Sequence, residues 1–309
     1  MSAEVETMFY TGRKKPWHGL GISVENAPDS ENALKLAGLD WEVVQRPIFM
    51  DYGEQITGYK ANVRNTDGAV LGVVSDRYKV VQNWEAFQFT DTLLGEGVRY
   101  ETAGSLQGGK KVWLLARLPR EYIISGERIS PYLVFTTSHD GSGAVKVAVT
   151  PIRVVCNNTL NLALKSASRS FSMMHTQSIQ SKIQEAHDTL FKAEDYMEKL
   201  GEEIERLKDI KVTDTMVEEY IEQLLPLTRD ASPLQVKNVY KLREDIKRRF
   251  HEAPDLRNIS KSAYRFINAV SDFATHAEPL RKTATFNENM FLKTIEGNPL
   301  IDRAYQMIA

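Results

Sequence analysis

The chain has 309 residues, 42% of them hydrophobic, and a formal net charge of −2. That balance is ordinary for a globular protein and excludes one that coats nucleic acid through overall basicity, but a local basic surface stays open. Cys156 is the only cysteine, so no intramolecular disulfide can form, and the start of the chain lacks the apolar core of a signal peptide.

No apolar run approaches the roughly 20 residues of a membrane-spanning helix, so the chain is expected in the cytoplasm with no membrane partner. After a polar N-terminal arm, Asp29 or Ser30 can cap a short helix through Leu36 that stops at Gly38. Trp41 to Met50, Gln55 to Arg64 and Ala69 to Ser75 alternate as strands, with Asp67-Gly68 as a hairpin turn. Asn83 is the expected cap of a helix that ends at Gly95, with Trp84, Phe87 and Leu94 on one face. Strands are predicted again over Val98 to Leu106, Lys110 to Leu118 and Ile129 to Thr137.

The run from Tyr132 to Leu164 carries the most information. Tyr132, Val134, Val145, Val147 and Val149 recur at strand period, and Asp140-Gly141 with Ser142-Gly143 supplies a tight turn between two strands. An asparagine-rich exit, Asn157-Asn158, then leads toward a helix through Leu160, Leu162 and Leu164. From Gly141 to Gln184 there is no Asp or Glu, whereas Lys146, Arg153, Lys165, Arg169 and Lys182 are all present.

Beyond this run the pattern becomes helical. Ile179, Ile183, Ala186, Leu190, Ala193, Met197, Leu200, Ile204 and Leu207 form a heptad seam, the signature of a long coiled-coil-like helix. Thr213 heads a helix that closes before Pro226, Ser232-Pro233 starts one through Phe250, and Ser260 starts one through Ala274. Short helices near Phe286 to Ile295 and Pro299 to Ile308 complete the chain. The predicted fold class is α+β: an antiparallel-sheet domain with a packed helix over residues 1–168, then a helical region over 169–309.

Catalytic motifs are weak. Cys156 with His139 or His175 could pair a thiol with a base, but a lone cysteine after Val154-Val155 is more often a small buried apolar residue. The six histidines form no HExxH or Cys-His spacing, and Asp140 is explained by its turn. Gly104, Gly108 and Gly109 fit neither a phosphate-binding loop nor a dinucleotide fingerprint. No catalytic residue, metal ligand or cofactor is therefore predicted.

The acid-free stretch is the better candidate. Lys146, Arg153, Lys165 and Arg169 are the residues expected to meet phosphates, with Ser166, Ser168, Ser170 and Thr176 as hydroxyl donors and Tyr132, Phe135 and Phe171 as stacking faces. The competing reading is a solvated face with its aromatics in the core. A second basic cluster, Lys237, Lys241, Arg243, Lys247, Arg248 and Arg249, reads as a surface helix with ion pairs to neighbouring acids. Thr11 to Gly21, TGRKKPWHGLG, could contact nucleic acid or a neighbouring subunit, but a strap that packs Trp17 is the favoured reading for a bulky aromatic.

PWHGLG, YKVVQNWEAF, YETAGSLQGGKKVWLLARL and SHDGSGAVKVAVTPIRVVCNNTLNLAL, in this order, resemble the phage/plasmid-like proteins of a family of unknown function. The resemblance implies a mobile-element origin; it brings no activity and no catalytic residues. In outline, a curved antiparallel sheet crossed by a helix and followed by helices is also similar to the single-strand annealing recombinases of phages. That likeness implies an oligomer that holds single-stranded DNA in a basic groove without nucleotide hydrolysis. The expected function is thus non-enzymatic DNA binding, with single-stranded DNA preferred, as a homo-oligomer in the host cytoplasm. The rival expectation, resting on the heptad seam and mixed-charge helices, is a factor that binds or inhibits a host protein.

Overall fold

The computed structural model describes residues 5–11, 22–95, 98–118, 120–124, 126–153, 170–281 and 298–308. The fold is mixed α+β, and the chain divides into two compact units. The first comprises Met1–Pro119, Tyr132–Val149 and Arg169–Ala193; the second comprises Arg120–Pro131, Thr150–Ser168 and Glu194–Ala309. The expected boundary at residues 168–169 lies outside the described residues.

The first unit is built on a sheet whose strands run in the order β11 (Ser170–Met173), β10 (Val145–Arg153), β9 (Glu127–Ser138), β7 (Lys111–Arg117), β6 (Arg99–Leu106), β1 (Val5–Thr11) and β2 (Ile22–Val24). β1 and β2 are parallel; β1 with β6, β6 with β7, β7 with β9 and β10 with β11 are antiparallel. The polar arm expected at the N-terminus is in part this strand β1, whose Phe9 is fully buried. Its seven residues, among them one glutamate and two threonines, are too short and too polar to announce a central strand.

One sheet face carries the core. Phe9, Tyr100, Val112, Leu114, Leu133, Phe135, Val145, Val147, Phe171 and Met173 meet Ala33 and Ala37 of helix α1 (Ser30–Leu36) with its following turn, and Ala86, Phe87, Phe89 and Leu93 of helix α2 (Asn83–Leu94). Asp29 caps α1 by accepting from the Asn32 amide at 3.0 Å, as the sequence predicts. α2 differs from expectation. Gln82 is its N-cap in a capping box with Glu85, and Asn83 is the first helical residue, buried. Trp84 is 45% exposed, so the buried face runs through Asn83, Ala86, Phe87, Thr90 and Leu93 instead of through Trp84.

A second, three-stranded antiparallel sheet follows α1 in the chain: β3 (Val43–Phe49), β4 (Gln55–Arg64) and β5 (Val70–Ser75). Its inner face is buried through Val43, Asn62, Arg64 and Val74. The Arg64 guanidinium lies over the Trp41 ring at 5.2 Å and pairs with Glu6 at 2.7 Å and Asp67 at 3.0 Å. Gly72 of β5 meets the β9–β10 turn so closely that a Cβ there would stand 2.5 Å from the Asp140 Cα. Close backbone approach, more than conformational freedom, demands glycine at this position.

The second unit is mostly helical: the C-terminal half of α3 (Ile183–Asp209), α4 (Asp214–Leu224), α5 (Pro233–Glu252), α6 (Ala263–His276) and α7 (Pro299–Ile308), with β8 (Tyr122–Ile124) paired to the start of β9. Every residue of α6 from Ala263 to Ser271 is buried, which makes it the central helix of this core. Arg265 on α6 is buried too. Its guanidinium donates to the carbonyls of Phe250 at 2.7 Å, Ile259 at 2.8 Å and His251 at 3.2 Å, so it closes the open C-terminal end of α5 with positive charge. The helix starts at Thr213 and Ser232-Pro233 stand as predicted, while the α6 cap is Ser262 instead of Ser260.

α3 is a 27-residue helix. The heptad seam is divided between the two cores: Ile179 and Ala186 belong to the first, and Met197, Leu200, Ile204 and Leu207 to the second. Those positions pack within the chain, and among the described residues the long helix is shown without a coiled-coil partner. Among the described residues no helix is long and apolar enough to cross a membrane.

The contact at Gly72 gives a direct expectation. Gly72→Ala forces a Cβ into the Asp140 backbone and destabilises the protein by about 1–3 kcal/mol in urea unfolding, whereas Ser75→Ala, exposed on the same strand, changes the midpoint little.

Candidate nucleic-acid interface

The acid-free segment begins at the turn between β9 and β10. Asp140 accepts from the Ser142 amide at 2.9 Å, and Gly141 takes a φ of +78°, as the Asp-Gly pattern requires. Ser138 Oγ accepts from the Gly143 amide at 2.9 Å and donates to the Gly143 carbonyl at 3.0 Å, so the turn is closed at its neck.

Two buried histidines flank this turn. Asn83 donates its amide group to the carbonyls of Leu39 at 3.0 Å and Trp41 at 3.3 Å, which leaves its Oδ1 to accept. His139 therefore donates through Nε2–H to Asn83 Oδ1 at 3.0 Å, and its Nδ1 is an unprotonated acceptor with no partner. The His139 carbonyl accepts from Asn62 Nδ2 at 2.7 Å, and Trp41 meets the imidazole edge-on at 5.5 Å. Burial, reinforced by nearby His175, pushes the His139 imidazole down to about 3 against the opposing pull of Asp140.

His175, just beyond β11, is held from both sides. Its Nδ1–H donates to the Lys79 carbonyl at 3.0 Å while the Lys79 amide donates to the His175 carbonyl at 2.5 Å. Nε2 is thereby left to accept from the Thr137 hydroxyl at 3.3 Å. Tyr78 stacks on the ring at 4.5 Å and donates its hydroxyl to the Ser138 carbonyl. Burial lowers the His175 pKa as well, partly offset by the Lys79 hydrogen bond and Asp140. Both imidazoles are thus neutral struts that tie strand ends and turn to α2 and to the end of β5. A hydroxyl beside an imidazole also describes a nucleophile with its base, but Thr137 and His175 are buried at 3% and 5% exposure, and both hold the strand ends together.

Upon this support stands Lys146. It lies on β10 directly opposite Ser172 of the edge strand β11, and Ala148 lies opposite Ser170. Val145, Val147, Phe171 and Met173 point into the core, so strand alternation puts half-buried Lys146 and exposed Ser170 and Ser172 on the other face. Thr176 is exposed beyond them. Arg153 is the last residue of β10, and its side chain lies outside the described residues, as do Lys165, Arg169, Ser166, Ser168, Cys156 and the strap from residue 12 to 21. Two expected stacking faces are elsewhere: Phe135 and Phe171 are core residues, because alternation directs them at α1 and α2. Lys182 is paired with Glu185 at 2.6 Å.

The basic helix α5 carries ion pairs, as its sequence indicates. Lys247 pairs with Glu218, Arg243 with Glu222 at 3.0 Å, Arg248 with Asp245 at 2.6 Å and Arg249 with Asp272 at 2.5 Å. Among the described residues no group of three or more His, Cys, Asp or Glu is placed to hold a metal ion. A cavity lined by Asp29, Ser30, Asp91, Thr92, Gly95, Val98 and Arg99 sets two carboxylates beside one guanidinium, a poor match for phosphate.

The supporting residues Asn62, Tyr78, Asn83 and His175 carry no local signal: each partner is 38 to 96 positions away. The comparisons with known proteins give one match. A family model described as a domain of unknown function, DUF932, covers residues 70–293, and the chain belongs to that family. No curated protein and no solved structure matches the chain.

The histidine struts set the acid response. Unfolded, His139 takes up a proton below about 6.5; folded, it resists until about 3, so the unfolded state holds more protons between those values. Stability therefore falls as pH drops from 6.5, by about 2–3 kcal/mol at pH 4.5 from this residue. His139→Gln is expected to be less stable at neutral pH but to show a flatter decline, read as urea midpoints across that range.

Proposed function

We propose that this DUF932 protein is a non-enzymatic DNA-binding protein of a phage or plasmid, acting on single-stranded DNA as an oligomer in annealing or as a recombination accessory. The observation that carries the reading is the pairing of Lys146 with Ser172 at the sheet edge, on the face away from the core and within a segment free of carboxylates from Gly141 to Gln184. An ammonium and hydroxyls on one strand face supply the donors that phosphate oxygens take, and each phosphate neutralised releases counterions. Arg153, Lys165 and Arg169 extend the same basic run in sequence. The sequence resemblance to phage/plasmid-like proteins supports the mobile-element origin, and the expected likeness in outline to strand-annealing recombinases motivates the preference for single strands.

In this reading Lys146, Arg153, Lys165 and Arg169 hold the backbone and screen its repulsion, and bases stay exposed for pairing with a complementary strand. The place of action is the host cytoplasm. Anchorage by phosphates predicts affinity without marked sequence preference.

Fluorescence anisotropy with labelled single- and double-stranded DNA over a salt series tests this. Wild type is expected to lose affinity steeply with salt, with single strands bound tighter. Lys146→Gln reduces the slope of log affinity against log salt by about 0.7 on single strands, and Lys146→Glu with Arg153→Glu abolishes binding at moderate salt. Binding that ignores salt, or no binding at low salt, overturns the reading.

A further inference from the structure

The outer face of the three-stranded sheet is apolar and bare. Its cross-strand rows are Val44, Val63 and Val70; Arg46, Ala61 and Val73; and Tyr59 with Ser75. Val73 is 56% exposed, Tyr59 54% and, at the β3–β4 turn, Tyr52 68%; Phe49 and Val70 are comparably open. The apolar band thus runs the length of the sheet, on a protein whose net charge of −2 provides little mutual repulsion.

The charges along the band define its partner. Arg46 lies on the face itself, while Asp51 and Glu54 occupy the turn at its end, about 16 Å away along the strand. Arg46, Asp51 and Glu54 are all exposed, and none has an ion pair among the described residues. A nucleic acid would meet the two carboxylates at the turn, and a uniformly acidic partner would meet them as well. A second copy of this chain, turned end for end, satisfies all three charges at once.

We infer that this face binds a second copy of the chain, sheet on sheet and antiparallel about a two-fold axis. Arg46 of each copy then faces Asp51 and Glu54 of the other, an isologous arrangement in which each contact occurs twice. Tyr59 lies near the axis, and the valine row of one copy covers Tyr52 of the other. Strand addition along β3 is disfavoured: Pro47 offers no amide hydrogen, and the Gln82 side chain takes both the Val43 amide and the Val43 carbonyl at 2.9 Å. Ile179, Ala186, Met197, Leu200, Ile204 and Leu207 of the heptad seam pack in the chain's own cores.

Sedimentation velocity of the full chain over a concentration series tests the inference. A monomer–dimer equilibrium is expected, lost in Val73→Asp. Arg46→Glu weakens the dimer by roughly tenfold or more, and so does Asp51→Arg with Glu54→Arg. Combining Arg46→Glu with the two arginine substitutions restores it, since the charges are exchanged. All these sites are exposed, and circular dichroism melts confirm that each variant is folded. A wild type that stays monomeric to its solubility limit, a dimer indifferent to Val73→Asp, or charge-exchanged variants that fail to recover overturns the assignment. DNA anisotropy on the folded monomeric variants separates this inference from the DNA-binding reading, since it reports on Lys146 independently.

Discussion

The buried hydrogen bond from His139 to Asn83 is the constraint on which the first unit turns. It joins the end of a central strand to the first residue of α2, and Asn83 simultaneously holds the carbonyls of Leu39 and Trp41 at the entry to β3. Through Asn62 the same histidine grips the inner face of the second sheet. Each group is out of water, so each bond is necessary: a buried donor or acceptor left without its partner costs about 1–3 kcal/mol. Among the described residues, His139 Nδ1 accepts from no partner, and it is a neutral lone pair, less costly than an unpaired charge.

A consequence is a turn fixed from beneath. Tyr78, His175 and Thr137 bind the neck of the β9–β10 hairpin from one side, Asn62 and Gly72 from the other. The two faces of each sheet then take different roles. On the large sheet one face of β10 and β11 is core and the other presents Lys146 with Ser170 and Ser172. On the small sheet the inner face holds Asn62, Arg64 and Val74, and the outer face displays valines and Tyr59 to solvent.

Much of this was legible locally. The turn chemistry of Asp140-Gly141 and the strand alternation on either side identify the hairpin, and Asp29, Thr213 and Ser232-Pro233 mark helix starts because their side chains accept amide protons one turn on. The failures share a cause. Asn83 looks like a cap because its side chain usually bonds locally, yet here it bonds to strand entries 42 and 44 residues earlier. Trp84 looks like core because it is large, but the helix turns Asn83, Ala86 and Phe87 inward instead. Phe171 looks like a stacking face because it neighbours basic residues, but strand period sends it to the core.

The sequence by itself determined the α+β class, most strand and helix positions, and the acid-free segment that bears Lys146, because propensity, capping and periodicity act over a few residues. Tertiary structure alone decided which faces are buried, how the heptad seam is shared between two cores, and that His139 and His175 serve as neutral struts. Those outcomes depend on partners brought from far along the chain, and the desolvation that settles charge and burial exists only once they meet.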